Sequence, residues 1–356
     1  MLMNSQPIKV SSPNSFDCLR YFFAFSLVLV HFCTLVDIPQ FWFISGGTRV
    51  KAFFIITGFL VIYSCQHSDL RTYARKRAYR ILPAYTSCIL LCLVLGLFLT
   101  DLPLTQFLRS TDTWKYLASN LIFLNFIQPE LPGVFQNNPA HAMDGSLWSM
   151  KVEVTFYLVL PFLTYLLSRF RKEWVLLFCY LLSVLYDIGC QKLYEHTGNN
   201  LFFLLKHQFV GLMIYFLGGS IILLYFDLLN RYYKVLFPLS VLLYLLSNGN
   251  DGLLYYLEPL TFGIIIITIA YHTPRLHFLY GKSNISYGIY LYHFPVIQAL
   301  IHFGLDKYNV YLTFALALLL TLLISTLSWV YIEKPFLDRV KRKQQGKLLK
   351  KADVGT

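Results

Sequence analysis

The chain has 356 residues, of which 56% are hydrophobic and only 13% charged, with a mean hydropathy of +0.55 and a formal net charge of +12. A soluble domain carries about 25% charged residues, so the composition excludes an ordinary soluble fold and points to an all-α, polytopic membrane protein. The basic residues lie in short clusters between apolar runs, as in the loops of membrane proteins, and this pattern argues against a nucleic-acid partner.

Apolar runs of about 17 to 25 residues occur at roughly 16–36, 50–66, 81–100, 147–168, 174–190, 206–226, 233–247, 254–272, 284–304 and 310–332. They predict about ten transmembrane helices. The first, FDCLRYFFAFSLVLVHF, is too long for the apolar core of a signal peptide and lacks a small-x-small cleavage site, so it reads as a retained helix. It carries Arg20 and His31, and an ionisable group in a span costs roughly 2.5 to 3.5 kcal/mol on insertion scales. Eleven steps of 100° are three turns plus about 20°, so the two side chains leave one face about 16 Å apart along the axis. Arg20 reads either as an arginine snorkelling to headgroups or as a ligand contact. His31 reads either as a helix-packing residue or as a functional one.

Further along, AFFIITGFL places Thr57 beside Gly58, which serves close helix packing or, second, a ligand. The loop RTYARKRAYRILP has Arg77 and Arg80 one turn apart. That spacing serves either as an orientation signal or as a clamp for phosphate oxygens. The segment 101–146 is the only sizeable extramembrane stretch, rich in Pro and Asn and too small for a separate catalytic domain. Within it, Trp114 to Gln128 is apolar but about 15 residues long, which suits an interfacial or re-entrant helix rather than a span.

GSLWSMKVEVTFYLVLP holds Glu153 a few residues inside a span. A carboxylate there needs a donor or cation, either Lys151 at the interface or His31 at comparable depth. An imidazole oriented by a carboxylate is a common general-base arrangement. His207 and Glu258 fall near outer span ends, where they meet an acceptor or water. SYGIYLYHFPV places His293 near mid-depth with Tyr287 and Tyr290, as a structural hydrogen-bonding group or a substrate contact. Residues 1–335 form the membrane domain, and 336–356 form a basic tail that is disordered or lies on anionic lipid.

Ten spans put both termini on one side, and the cations choose the cytoplasmic side. Of the 30 Lys and Arg, only Arg49, Lys51, Arg109, Lys115, Lys151, Lys192, Lys206 and Lys307 then fall outside, with Arg20 inside the first span. The seven cysteines lie mostly in apolar runs with no CxxC pair, so no metal site is expected and they read as small buried hydrophobes. No Walker or Gly-rich dinucleotide loop is present, and any nucleotide-like ligand must be held by the arginine clusters.

Six segments, taken in order, resemble the membrane-bound acyltransferase 3 family of bacterial surface-polysaccharide O-acetyltransferases. FDCLRYFFAFSLVLVH is similar to its opening motif, with Arg and His separated by ten residues. AFFIITGFL resembles its second-span motif, RAYRILPAY its Arg-x-x-Arg loop, and DGSLWSMKVEVTFYLVLP its Trp-Ser-Leu…Glu…Phe-Tyr segment. ISYGIYLYHFPV and YIEKPF resemble its closing motifs. Asp144 stands where the polysaccharide branch often has Asn, and Met150 and Lys151 replace a more apolar pair.

The resemblance implies a ten-helix enzyme of the bacterial cytoplasmic (inner) membrane that modifies lipopolysaccharide O-antigen or a related glycan. It takes acetyl from cytoplasmic acetyl-CoA, with no permanently bound cofactor, and passes it to a sugar hydroxyl of a surface glycan or lipid-linked oligosaccharide. His31 and Glu153 are then the catalytic candidates, and Arg20, Arg77 and Arg80 the acetyl-CoA contacts. Thr57, Trp148, Tyr287 and His293 are candidate substrate contacts. With no SGNH-hydrolase-like domain after YIEKPF, the chemistry is expected to come from the membrane part. The alternative is a proton-coupled transporter that uses His31, Glu153 and His293 as a relay.

Overall fold

In hydrocarbon every backbone N–H and C=O must be paired within its own segment, and the α-helix does this. The computed structural model describes residues 9–39, 46–247, 252–280 and 284–339, and it is helical, with no strand among the described residues. The helices are α1 (Phe16–Leu35), α2 (Gly46–Gln66), α3 (Leu70–Leu99), α4 (Leu104–Arg109), α5 (Thr111–Leu121), α6 (Trp148–Arg169), α7 (Lys172–Thr197) and α8 (Asn200–Lys206). They continue with α9 (Phe209–Leu224), α10 (Phe226–Ser247), α11 (Glu258–His272), α12 (Ser286–His302), α13 (Leu305–Tyr308) and α14 (Val310–Ser328). A π-turn, Trp329–Glu333, follows α14.

Eight helical runs among the described residues are long and apolar enough to cross a membrane: 16–35, 47–66, 70–99, 148–169, 172–197, 200–224, 254–272 and 310–339. The other two expected spans, on α10 and α12, are also helical. However, α10 dilutes its apolar stretch with Asn230, Arg231 and Lys234, and α12 has only 17 residues. Trp114 to Gln128 breaks into the end of α5 and a 3-10 turn, Asn125–Ile127, too short to cross. Apolar side chains such as Phe98, Leu158, Phe178, Leu185 and Leu319 remain largely exposed on the spans. Such a surface is a liability in water and suits lipid. The expected basic tail lies outside the described residues from 340 onward.

The chain divides into two compact units. The first comprises Met1–Phe23, Ser45–Leu70 and Val152–Lys282. Its α2 and α9 meet backbone to backbone. A Cβ on Gly58 would sit 2.0 Å from the Phe216 carbonyl oxygen, and one on Gly219 would sit 2.0 Å from that of Ile55. Close approach through small residues is how lipid-embedded helices gain packing contacts, and it confirms the packing role read from AFFIITGFL. This unit also holds a buried ion pair. Lys51 Nζ lies 3.1 and 2.8 Å from the two Glu258 carboxylate oxygens, and the Tyr215 hydroxyl donates to Oε2 at 2.7 Å. Glu258 is thus buried and paired, rather than left to meet water at the end of a span.

The second unit comprises Ala24–Ile44, Arg71–Lys151 and Ser283–Thr356. Here buried amides pin the long loop to helices. Asn138 Nδ2 donates to the Gln298 carbonyl at 2.9 Å, and Gln298 Nε2 donates to the carbonyls of Ala140 and Ala142 at 2.6 and 2.9 Å. Tyr85 on α3 donates to the Asn120 carbonyl at 2.7 Å. Pro295 has no N–H for the carbonyl of Leu291 four residues earlier. The Cys88 thiol fills that place, donating to Leu291 O at 3.3 Å.

Candidate active site

The second unit brings two histidines together across 262 residues of sequence. His31 Nδ1 on α1 lies 2.7 Å from His293 Nε2 on α12. The ring planes differ by 15° with centroids 5.0 Å apart, and the Phe294 ring stands edge-on to His31 at 5.4 Å. His293 is fully buried, and its Nδ1 lies 3.0 Å from the Ile289 carbonyl one turn back on α12. His31 is half-buried.

The start of α6 is tied to the same helix. The Tyr290 hydroxyl donates to the Ser146 carbonyl, the Ser149 Oγ lies 2.8 Å from the Tyr290 oxygen, and the Tyr290 ring is 6.4 Å from that of His293. Trp148, in the same turn, is 37% exposed. The segment DGSLWSM is therefore anchored to Tyr290, one turn before His293 on α12. Sequence reasoning did not single out Ser149 or Ser146. The signal for them was the position of the motif, not the residue types.

Arg80 has a partner in the closing motif. Its NH1 lies 3.3 Å from Oε2 of Glu333, whose side chain is 2% exposed, and its guanidinium sits 5.6 Å from the centre of the Tyr287 ring. The Tyr287 hydroxyl in turn donates to the Ile81 carbonyl at 3.3 Å. Glu333 closes the π-turn, a distortion often found at functional positions. Arg77, one turn before Arg80, is half-buried.

In the first unit, Arg20 NH1 donates to Asp17 Oδ1 at 3.3 Å and keeps 29% of its side chain exposed. Glu153 accepts a hydrogen bond from the Tyr157 hydroxyl one turn along α6. Thr57 is half-buried beside Gly58. His31 and Glu153 belong to different units, and within its own unit the ring partner of His31 is His293.

Cys88, Cys92 and Asp144 place one sulfur or oxygen each within 4.8 Å of one another, all buried, a donor set that sequence spacing did not signal. Cys92 lies one turn after Cys88, and only folding adds Asp144. Two of the three have roles without an ion. Asp144 Oδ1 holds the turn before α6 by accepting from Ser146 N at 2.9 Å and Oγ at 2.7 Å, and Cys88 serves the Leu291 carbonyl. Burial raises the Asp144 carboxyl to about 7, against the hydrogen bonds from Ser146, which lower it.

The profile of a family described as an acyltransferase domain matches residues 14–332. Over 344 residues the chain is 28% identical to the "O-acetyl transferase" of Shigella phage Sf6, covering 92% of this chain and 96% of that protein. It is 25% identical over 354 residues to "Nodulation protein 10" of Rhizobium leguminosarum bv. viciae, covering 90% and 92%. It is also 25% identical over 362 residues to "O-acetyltransferase OatA" of Staphylococcus aureus, covering 90% of this chain but only 56% of that relative, so the chain spans about half its length. No solved structure matches the chain. A match across almost the whole sequence, joined to the apolar helices, makes this an integral membrane protein that belongs to the acyltransferase 3 family.

Proposed function

We propose that the protein transfers an acetyl group from cytoplasmic acetyl-CoA to a sugar hydroxyl of a cell-surface polysaccharide, lipopolysaccharide O-antigen or a related exported glycan, across the bacterial inner membrane. The observation that carries the reading is the histidine pair: an imidazole held by a second imidazole, on a helix that also presents Arg20 eleven residues earlier. The names of the phage and Staphylococcus relatives favour O-acetyl transfer over proton-coupled transport.

In this reading Arg77, Arg80 and Arg20 meet the phosphates and the pantetheine arm. Glu153 binds the acceptor or helps order the site. His31 takes the proton of the sugar hydroxyl as its oxygen attacks the thioester carbonyl. The C–S bond breaks, the thiolate leaves as free CoA once protonated, and the sugar carries the new ester. A second route has the His31 nitrogen carry the acetyl group between the two partners. Both termini lie in the cytoplasm.

The test is mass spectrometry of surface glycan from cells with the gene, without it, and with His31→Ala. Loss of one acetyl mass in the second and third is expected. Unchanged acetylation in the His31→Ala strain, with the protein present at its normal level, removes His31 from the chemistry.

A further inference from the structure

We infer that His293 is a positioning residue that fixes His31 in the tautomer with its proton on Nδ1 and its lone pair on Nε2. This rests on the reading of His31 as base or acyl carrier and adds the group that prepares it. The Ile289 carbonyl can only accept, and His293 Nδ1 is 3.0 Å from it, so that nitrogen carries a proton. A second proton on the ring would place a full positive charge on a side chain with no exposed surface, which burial penalises. Nε2 of His293 therefore presents a lone pair, and His31 Nδ1, 2.7 Å away, is the donor. A neutral imidazole has one N–H, so His31 Nε2 is the basic nitrogen.

Ring geometry agrees with the assignment. A centroid separation of 5.0 Å at 15° between planes is what two rings joined end to end by a 2.7 Å bond show, so the N–H lies along the acceptor's lone pair. When His31 Nε2 takes the hydroxyl proton, positive charge spreads over the ring, and the Nδ1–H bond to His293 becomes charge-assisted. The bond from His293 to Ile289 polarises with it. His293 thus does what a carboxylate does for an orienting histidine elsewhere, fixing tautomer and direction, but as a neutral group.

Two measurements test this on the full chain. In membrane vesicles supplied with radiolabelled acetyl-CoA, label is followed into the endogenous glycan. His293→Leu removes the acceptor for His31 and is expected to lower the apparent kcat by about 100-fold or more, with KM for acetyl-CoA changed less than about twofold, as expected for a group acting in the transition state alone. His293→Gln can accept from His31 through its carbonyl and donate to Ile289 through its amide, and is expected to recover at least about tenfold of that loss. Wild-type kcat in His293→Leu, or His293→Gln no better than His293→Leu at matched protein levels, overturns the inference. Independently of turnover, nitrogen NMR of histidine-labelled wild-type protein reads the His31 tautomer. A protonated Nδ1 is expected, and a protonated Nε2 with bare Nδ1 overturns it. If the wild type transfers no label while the Nδ1–H signature is present, the proposed function fails and the tautomer assignment stands.

Discussion

The two units each bury a polar cluster, and the clusters are built on opposite principles. In the first, Lys51 and Glu258 cancel each other's charge, and Tyr215 takes a further carboxylate position. In the second, His31 and His293 carry no opposing charge and instead form a directed chain of donors ending on a backbone carbonyl. A charge-balanced cluster has its protons where they will stay, and it stabilises a fold or fixes its specificity. A neutral directed chain can accept a proton at one end, which is what acid-base chemistry requires.

Breaking the second cluster should have the largest effect, and on rate alone. His31→Ala is expected to lower acetyl transfer by about 10³-fold, while the thermal midpoint of the detergent-solubilised protein stays near wild type, because the ring is only half-buried. A midpoint that collapses along with the rate would make His31 structural. Breaking the first cluster should show the reverse. Glu258→Ala leaves Lys51 without its carboxylate at a site where the two side chains are 20% and 10% exposed. It is expected to cost about 3 kcal/mol, read as a lowered melting temperature, with the surviving folded fraction transferring acetyl at the wild-type rate.

Arg80 lies between these extremes, since it has both a buried partner and a place in the donor reading. Arg80→Ala is expected to raise KM for acetyl-CoA about tenfold, with a smaller change in kcat. Lys at this position should not restore it, because a single ammonium does not reproduce the guanidinium fork or its stacking on Tyr287. An unchanged KM would assign Arg80 to Glu333 alone.

The smallest effect is one of pH. Asp144 has a folded value of about 7 against an ordinary 3.8, so the folded protein holds this proton more tightly than the unfolded chain. The sign follows from linkage. Stability falls as pH rises from about 4 to about 7, then levels off above that. Melting temperature should therefore be lower at pH 8 than at pH 5. Asp144→Asn keeps an acceptor for Ser146 and is expected to shrink the difference. An equal difference in both proteins would place the pH dependence elsewhere.

Much of this was legible in the sequence, and the reason differs from residue to residue. Arg20 and His31 are placed by helical arithmetic within one segment, and that arithmetic needs no tertiary information. The failure of Trp114 to Gln128 to span follows from length alone. What spacing does not carry is partnership between distant segments. His293 stands out in SYGIYLYHFPV as a costly polar group, but nothing local links it to His31. Local reading offers Glu153 to His31 because a carboxylate is a common companion of histidine. Glu258 reads from its span-end position as meeting an acceptor or water, and only folding brings Lys51 to it. Glu333 lay in plain view within YIEKPF, yet its tie to Arg80 depends on a π-turn that apolar periodicity does not reveal.

The last link of the histidine chain has a consequence for inheritance. Because it ends on the Ile289 carbonyl and not on a side chain, no single codon change at position 289 can delete the acceptor. Drift there alters a side chain and leaves the carbonyl in place. The vulnerable letters are those for His31 and His293 themselves, while the anchor behind them persists for as long as α12 remains a helix.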